Sequence, residues 1–243
     1  MTLDSSTKAV AHGNHAVDSE DVPLSKIGRH LAHELNNPIS AITSSAYLIQ
    51  DILASSDGKI AKEDIRPFVE SIQEECNALK TTVEEFTKFA TTESILASHI
   101  DLSEFVRARA EEMAREGMPV TAQAPETKCF ADADTAGLAF VLRALAKTAH
   151  EAGATQIQLL LSSGDVNQIS LTDNRPERRS ASELEQLFSA KWVSSRPRGS
   201  GLGLKLPLAK KIMELHDGSI EFPEQNAETR ILLSLPKAHR HES

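Results

Sequence analysis

Residues 28–42 read GRHLAHELNNPISAI. An apolar stripe with helical spacing runs through this stretch, and so does a cluster of polar side chains around a proline. Leu31, Leu35, Ile39 and Ile42 recur every three or four positions, and Ile27, Ala46, Ile49 and Leu53 extend the series. That period is the signature of an amphipathic helix. A second series, Ile65, Phe68, Ile72, Cys76, Leu79, Val83, Phe86 and Ala90, follows after the turn-like SSDGK. Two long helices joined by a short turn make an antiparallel hairpin. A lone hairpin leaves apolar surface uncovered, and pairing with a second copy as a four-helix bundle covers it. The sequence therefore predicts a homodimer.

The polar groups of the first helix fall off this stripe. At the helical period His33 lies about 200° from both Leu31 and Leu35. Asn37 is four residues on and shares the histidine's face, while Glu34 flanks the imidazole. An exposed imidazole is a nucleophile near neutral pH. A neighbouring carboxylate can orient the ring and take its proton as nitrogen attacks phosphorus. Pro38 removes its own N–H and frees the Glu34 carbonyl, which predicts a local bend. A solvated helix face with an incidental proline is the competing account.

Beyond residue 100 the pattern changes. DLSEFVRARAEEMAREG is helical and stops at Gly117, and DTAGLAFVLRALAKTAHEAGA stops at Gly153. TQIQLLLSS and NQISLTD read as strands flanking the turn GDV. LPLAKKIMELHDG is a third helix, with Gly218 suited to its end, and SIEF and TRILLSL are two further strands. The mixture predicts a sheet covered by helices on one face. The fold class is thus α+β, a helical hairpin followed by an α/β sandwich. The expected divisions are a disordered segment 1–22, a hairpin 23–98, a sandwich 99–237 and a polar tail 238–243.

Composition removes several classes. The chain has 243 residues, 40% hydrophobic and 25% charged, with a formal net charge of −9. Such a balance fits a globular protein and argues against general nucleic-acid binding, which uses basic surface. Aromatic residues make up only 4%, which leaves no stacking platform for bases. No apolar run approaches the roughly 20 residues of a membrane span, and the first residues lack a secretory apolar stretch. Cys76 and Cys129 stand far apart and read as reduced packing residues, and the nine histidines show no metal-ligand spacing. A cytoplasmic location is expected.

The segment GSGLGL at 199–204 precedes the third helix and Lys205. Glycines let backbone N–H groups approach phosphate oxygens, and a helix start favours an anion. A simple loop is the alternative.

HELNNP at 33–38, preceded by IGRHLA and followed by ISAI, resembles the phosphoacceptor box of the sensor histidine kinases of two-component systems. The resemblance implies that His33 is phosphorylated and that Glu34 is its base. It also implies that Asn37 positions water or the partner aspartate in dephosphorylation. LFSAKW, VSSRPR and GSGLGLKLPLAKKIMELHDGSIEF resemble the catalytic ATP-binding domain of the same kinases. This implies ATP and Mg²⁺ as cofactors, with Gly199, Gly201, Leu202, Gly203, Leu204 and Lys205 at the nucleotide. VSSRPR would be a mobile lid, and Asp173 would accept a hydrogen bond from the adenine amino group. The resemblance covers most of residues 24–236.

Two departures stand out. The family helix runs L-x-N-L-L-x-N-A-x-E-A, and its second asparagine helps hold Mg²⁺. Here 142–152 read LRALAKTAHEA, so Ala144 and Thr148 replace the asparagines, and Thr148 is the implied metal ligand. The family's D-x-G-x-G turn reads DNRPE, so Arg175 and Glu177 replace both glycines. Arg175 either crowds this turn or contacts phosphate.

Three functions stay open: a kinase that autophosphorylates on His33 from ATP and passes phosphate to an aspartate of a separate response regulator; a histidine phosphotransferase or regulator phosphatase; or a non-catalytic dimeric adaptor. Input would come from a separate sensor protein or from contacts along the helices.

Overall fold

The computed structural model describes residues 24–55, 61–177, 179–189, 203–223 and 228–238. The expected disordered segment 1–22, the turn at 56–60, the lid VSSRPR, Gly199, Gly201, Leu202 and residues 239–243 of the tail lie outside them.

Two long helices form the hairpin: α1 (Leu24–Ser55) and α2 (Lys62–Thr91). The apolar series of each divides into two lines. On α1, Pro38 and Ser45 are buried, with Leu31, Leu35, Ile42, Ile49 and Ile52 partly covered along the hairpin seam. Ile39, Ala46 and Leu53, seven residues apart, remain exposed. On α2, Thr82 is buried and Phe68, Ile72, Leu79 and Phe86 are partly covered, while Val69, Cys76, Val83 and Ala90 are exposed, again at intervals of seven. Each helix thus carries a seam toward its hairpin partner and a second, heptad-spaced apolar line that the hairpin alone leaves open.

The sandwich begins at β1 (Ser98–Asp101), which pairs antiparallel with β3 (Phe130–Ala133). Helix α3 (Leu102–Arg115) starts on Asp101, whose Oδ1 accepts from the N–H groups of Ser103 and Cys129 at 2.9 and 3.2 Å. It ends as expected at Gly117, where φ is +89°. The N–H of Gly117 donates to Ala114 O and that of Met118 to Met113 O, which satisfies the last carbonyls. Helix α4 (Thr135–Glu151) is capped by Asp134 and closes the same way at Gly153.

The main sheet has the order β2-β4-β5-β7-β6, built from β2 (Val120–Gln123), β4 (Ile157–Ser163), β5 (Asn167–Asp173), β6 (Ser219–Glu221) and β7 (Thr229–Leu235). Only β2 and β4 run parallel. Ile157, Leu159 and Leu161 of β4 meet Ile169 and Leu171 of β5 and Ile231, Leu233 and Leu235 of β7 on one buried face, as alternation requires. Helices α3, α4 and α6 (Lys205–Leu215) supply the other half of that core through Val106, Leu138, Leu142, Leu145, Leu208 and Ile212. Helix α5 (Ala181–Phe188) packs on α6 and buries Leu184, Leu187 and Phe188.

One detail corrects the sequence reading at the end of α6. Asp217, not Gly218, adopts the left-handed conformation, with φ of +53°. Gly218 is needed for a different reason: a Cβ there would lie 2.4 Å from the Ser234 carbonyl oxygen of β7. Buried His216 ties this corner down. Its Nε2 accepts from the Asp134 N–H at 2.9 Å, which leaves Nδ1–H to donate to Ile212 O at 2.7 Å.

Candidate functional site

The face of α1 that carries His33 is open. His33, Asn36 and Asn37 are exposed, Glu34 is half-buried, and Pro38 is buried on the hairpin side. The helix runs without interruption through Pro38. The Ser40 hydroxyl donates to the Asn36 carbonyl at 2.8 Å, one of several side chains that bond back onto this helix. Packing toward α2 explains the division, because the positions that meet α2 are those that Leu31, Leu35 and Pro38 occupy. His33 is left on the opposite side with Asn37 one turn further on. An accessible imidazole flanked by a carboxylate and a carboxamide can accept and return a phosphoryl group.

The hairpin and the sandwich meet at the start of α6. Gly203 has φ of +65° and turns the chain into the helix. Leu204 is wholly buried against Leu31 of α1 and Phe86 and Phe89 of α2. Lys205 Nζ pairs with Glu85 Oε1 at 3.2 Å, and Lys211 Nζ donates to the Phe89 carbonyl at 3.1 Å. Beside this join lies a cleft of about 210 Å³, lined by Glu84, Glu85, Lys88, Phe140, Lys205 and Leu208 among others. The residues of the glycine-rich stretch that the structure describes therefore serve the join between the halves. Lys205, expected at the nucleotide, pairs here with Glu85 of α2. The sequence reading missed Glu85, whose only signal was an acidic side chain adjoining the apolar position Phe86.

At the other end of the sandwich site, Asp173 closes β5 on the buried face of the sheet. Both oxygens of its carboxylate accept from Arg175. Arg175 Nε donates to Oδ1 at 2.7 Å, Nη2 to Oδ2 at 2.6 Å, and the Arg175 backbone N–H to Oδ1 at 3.1 Å. The side chains are 2% and 0% exposed. This is a bidentate fork, the geometry that guanidinium and carboxylate favour. The neighbouring residues lock the turn. Asn174 Oδ1 accepts from the N–H groups of Thr155 and Gln156, each at 2.9 Å, and Pro176 lies over Gly153. Arg175 thus neither crowds the turn nor reaches outward for phosphate. It folds inward onto the acid two residues before it. Glu177 is exposed.

Thr148, in the position of the implied metal ligand, is half-buried on α4 and donates its hydroxyl to the Ala144 carbonyl at 2.8 Å. Its oxygen stays close to its own helix. Among the described residues, which leave out Gly199, Gly201 and Leu202, this arrangement does not fit an adenine nucleotide with Mg²⁺. Asp173 has both carboxylate oxygens engaged by Arg175, and the metal position offers one short hydroxyl bonded back to the helix.

The Arg143 guanidinium bonded to Glu116 lowers that carboxyl, and the Ser180 backbone N–H and hydroxyl lower Glu183.

Comparison with known proteins gives two family models in tandem. Residues 24–95 match the His Kinase A (phospho-acceptor) domain, and residues 133–239 match the histidine kinase-, DNA gyrase B- and HSP90-like ATPase. Among solved structures, the Acinetobacter baumannii histidine kinase AdeS is 14% identical, with a TM-score of 0.58 over 85% of this chain and 98% of that one. Histidine kinase ThkA in complex with response regulator protein TrrA is 20% identical, with a TM-score of 0.60 over 88% of this chain and 62% of that one. Full-length ShkA in complex with AMPPNP is 17% identical, with a TM-score of 0.58 over 89% of this chain and 46% of that one. At these identities the likeness is one of fold. No curated protein matches the chain. Among the described residues, no helix is long and apolar enough to cross a membrane.

Proposed function

The chain belongs to the sensor histidine kinases of two-component systems, and from that premise we propose that His33 is its phosphoacceptor and exchanges a phosphoryl group with an aspartate on a separate response regulator. The observation that carries this reading is the open face of α1: His33 and Asn37 exposed one turn apart, with Glu34 beside them. In the transfer, an imidazole nitrogen of His33 bonds to phosphorus as the donor's oxygen leaves. Glu34 orients the ring and takes its proton. Asn37 faces the same space and positions the incoming aspartate, or water in hydrolysis. A receiver domain needs an uncovered helix face to bring its aspartate in line, and this face is uncovered.

The same reading makes the chain a homodimer through residues 23–98, with residues 99–237 as the ATPase-type domain. The exposed lines Ile39, Ala46, Leu53 and Val69, Cys76, Val83, Ala90 support it, because a second hairpin would cover them.

Two donors are compatible with His33. One is ATP with Mg²⁺, the family's own route, with Asp173, Thr148 and the 199–204 glycine stretch at the nucleotide. The other is an aspartyl phosphate, which makes the chain a histidine phosphotransferase or a regulator phosphatase. The Arg175–Asp173 pair favours the second, since it holds the carboxylate that the first requires. Incubating the chain with γ-labelled ATP and Mg²⁺, beside His33→Ala, decides between them. Acid-labile label on the wild type alone supports ATP as donor. No label from ATP, but label gained from a phosphorylated receiver and lost in His33→Ala, supports the phosphotransferase. Label that survives His33→Ala would overturn the assignment of His33.

A further inference from the structure

Among the described residues, the Arg175–Asp173 pair is a fully buried, bidentate ion pair between side chains two positions apart. It sits where the family resemblance asks for an acid open to adenine. We propose that Arg175 is a built-in occupant of the adenine position, and that it excludes adenine nucleotides from the wild-type chain. This deepens the reading above and rests on it for the identity of the site.

The argument is one of matched chemistry. An exocyclic amino group of adenine offers N–H donors to a buried carboxylate. The guanidinium of Arg175 offers the same kind of donor, two in parallel, and adds a full positive charge. It is tethered two residues away, so its local concentration at Asp173 far exceeds that of any free nucleotide. A neutral amino group would have to replace a charged, bidentate partner and leave the guanidinium in want of another acid. The loss of one partner of a buried pair is among the costlier changes a protein core can suffer. Converted to affinity, that penalty weakens nucleotide binding on the order of a hundredfold or more.

The surroundings hold Arg175 in place. Asn174 bonds to both Thr155 and Gln156, and Pro176 rests against Gly153, so the residues on either side of Arg175 are pinned to the α4–β4 corner. A glycine at 175 would have no side chain to bring to Asp173. The departure from the family turn is therefore an exchange of one occupant for another.

The test is calorimetric titration of the full chain with Mg-ATP, for wild type, Arg175→Gly and Arg175→Lys. Arg175→Lys keeps the charge beside Asp173 but loses the fork, and it guards against a glycine variant that fails to fold. Melting each variant with and without ATP reports folding and binding together. The expected result is no saturable binding by wild type below about 1 mM ATP. Arg175→Gly should bind at least tenfold more tightly, with Arg175→Lys between them. Wild type that binds ATP at tens of micromolar, on the order expected of an open site, overturns the proposal. So do folded variants that bind no better than wild type. Labelling of His33 separates the two readings. A variant that binds ATP while His33 takes label neither from ATP nor from a phosphorylated receiver sinks the proposed function and leaves Arg175 as the occupant. Wild type that labels His33 from ATP does the reverse.

Discussion

Leu204 of the sandwich packs on Leu31 of the hairpin, two residues before His33. Two residues along a helix is about 200° of rotation, so the sandwich is anchored to the side of α1 away from the imidazole. Leu204 is fully buried among Leu31, Phe86 and Phe89, and the neighbouring Lys205 pairs with Glu85. Leu204 is the last residue of the glycine-rich stretch, so its packing on Leu31 couples the end of that stretch to α1. Leu204→Ala removes the anchor without touching the sandwich core at Leu208, Ile212 and Met213. The expected cost is about 2 kcal/mol, the lower end for burying a smaller residue in place of leucine. Limited proteolysis should show earlier cutting near Thr92 at the end of α2, with the sandwich itself still protected. An unchanged cutting pattern and melting temperature would mean that the two halves are held by something else.

The exposed apolar lines on α1 and α2 make a second prediction. Val69 and Val83 stand 41% and 49% exposed on one line of α2, two heptads apart, with Cys76 between them. In a four-helix bundle they face the other hairpin. Val69→Glu together with Val83→Glu puts four carboxylates into that seam and should convert a dimer into a monomer at micromolar concentration. Light scattering after gel filtration reads the mass directly. A wild type that already elutes as a monomer, or a variant that remains a dimer, would refute this use of the two lines.

Much of this architecture was legible in the sequence because it rests on period. The long stripes gave two helices, and alternation gave β4, β5, β6 and β7. Strands β1, β2 and β3 were missed for a physical reason: at four residues each, they are too short for alternation to rise above chance. The split of each stripe into a seam and an open line was hidden because both lines are apolar, and only packing separates them. His33 could be placed on the open face from its angle alone. Arg175 could not be placed at all. Whether a side chain turns outward to solvent or back onto an acid two residues earlier depends on what buries the turn, and Asn174 and Pro176 decide that through contacts distant in sequence.

The corner after α6 gives a paired prediction. Asp217 occupies the left-handed region and Gly218 does not, but Gly218 alone has no room for a Cβ. Asp217→Gly should therefore stabilise the chain, by about 0.5–1 kcal/mol, by relieving the strain of an L side chain at positive φ. Gly218→Ala should destabilise it by about 2 kcal/mol, since the new methyl group meets the Ser234 carbonyl of β7 and the backbone must shift. Chemical denaturation of both variants measures the contrast. If Asp217→Gly loses as much as Gly218→Ala gives up, the Asp217 side chain has a role that its conformation does not reveal.

Helix α5 should loosen in acid through one carboxylate. Ser180 and Glu183 form a reciprocal cap: the Ser180 N–H donates to Glu183 Oε2 at 2.7 Å, and the Glu183 N–H donates to the Ser180 hydroxyl at 3.3 Å. The backbone N–H of Ser180 is the main reason that the Glu183 carboxyl lies below its ordinary value, with the Ser180 hydroxyl next. A carboxyl depressed by folding stabilises the folded state above its unfolded pKa, and that contribution is lost as pH falls through the folded value. The helix dipole acts in the same direction, since Glu183 is in the first turn. Glu183→Gln keeps the shape of the cap and removes its charge. At neutral pH the variant should exchange the amide hydrogens of α5 faster than wild type. The gap should narrow as pH drops below the ordinary glutamate range and vanish once Glu183 is protonated in both states. Hydrogen exchange at a series of pH values measures this directly at Leu184, Leu187 and Phe188, whose side chains hold α5 to the core. A gap of constant size across the whole series would show that the carboxylate charge contributes nothing to the cap.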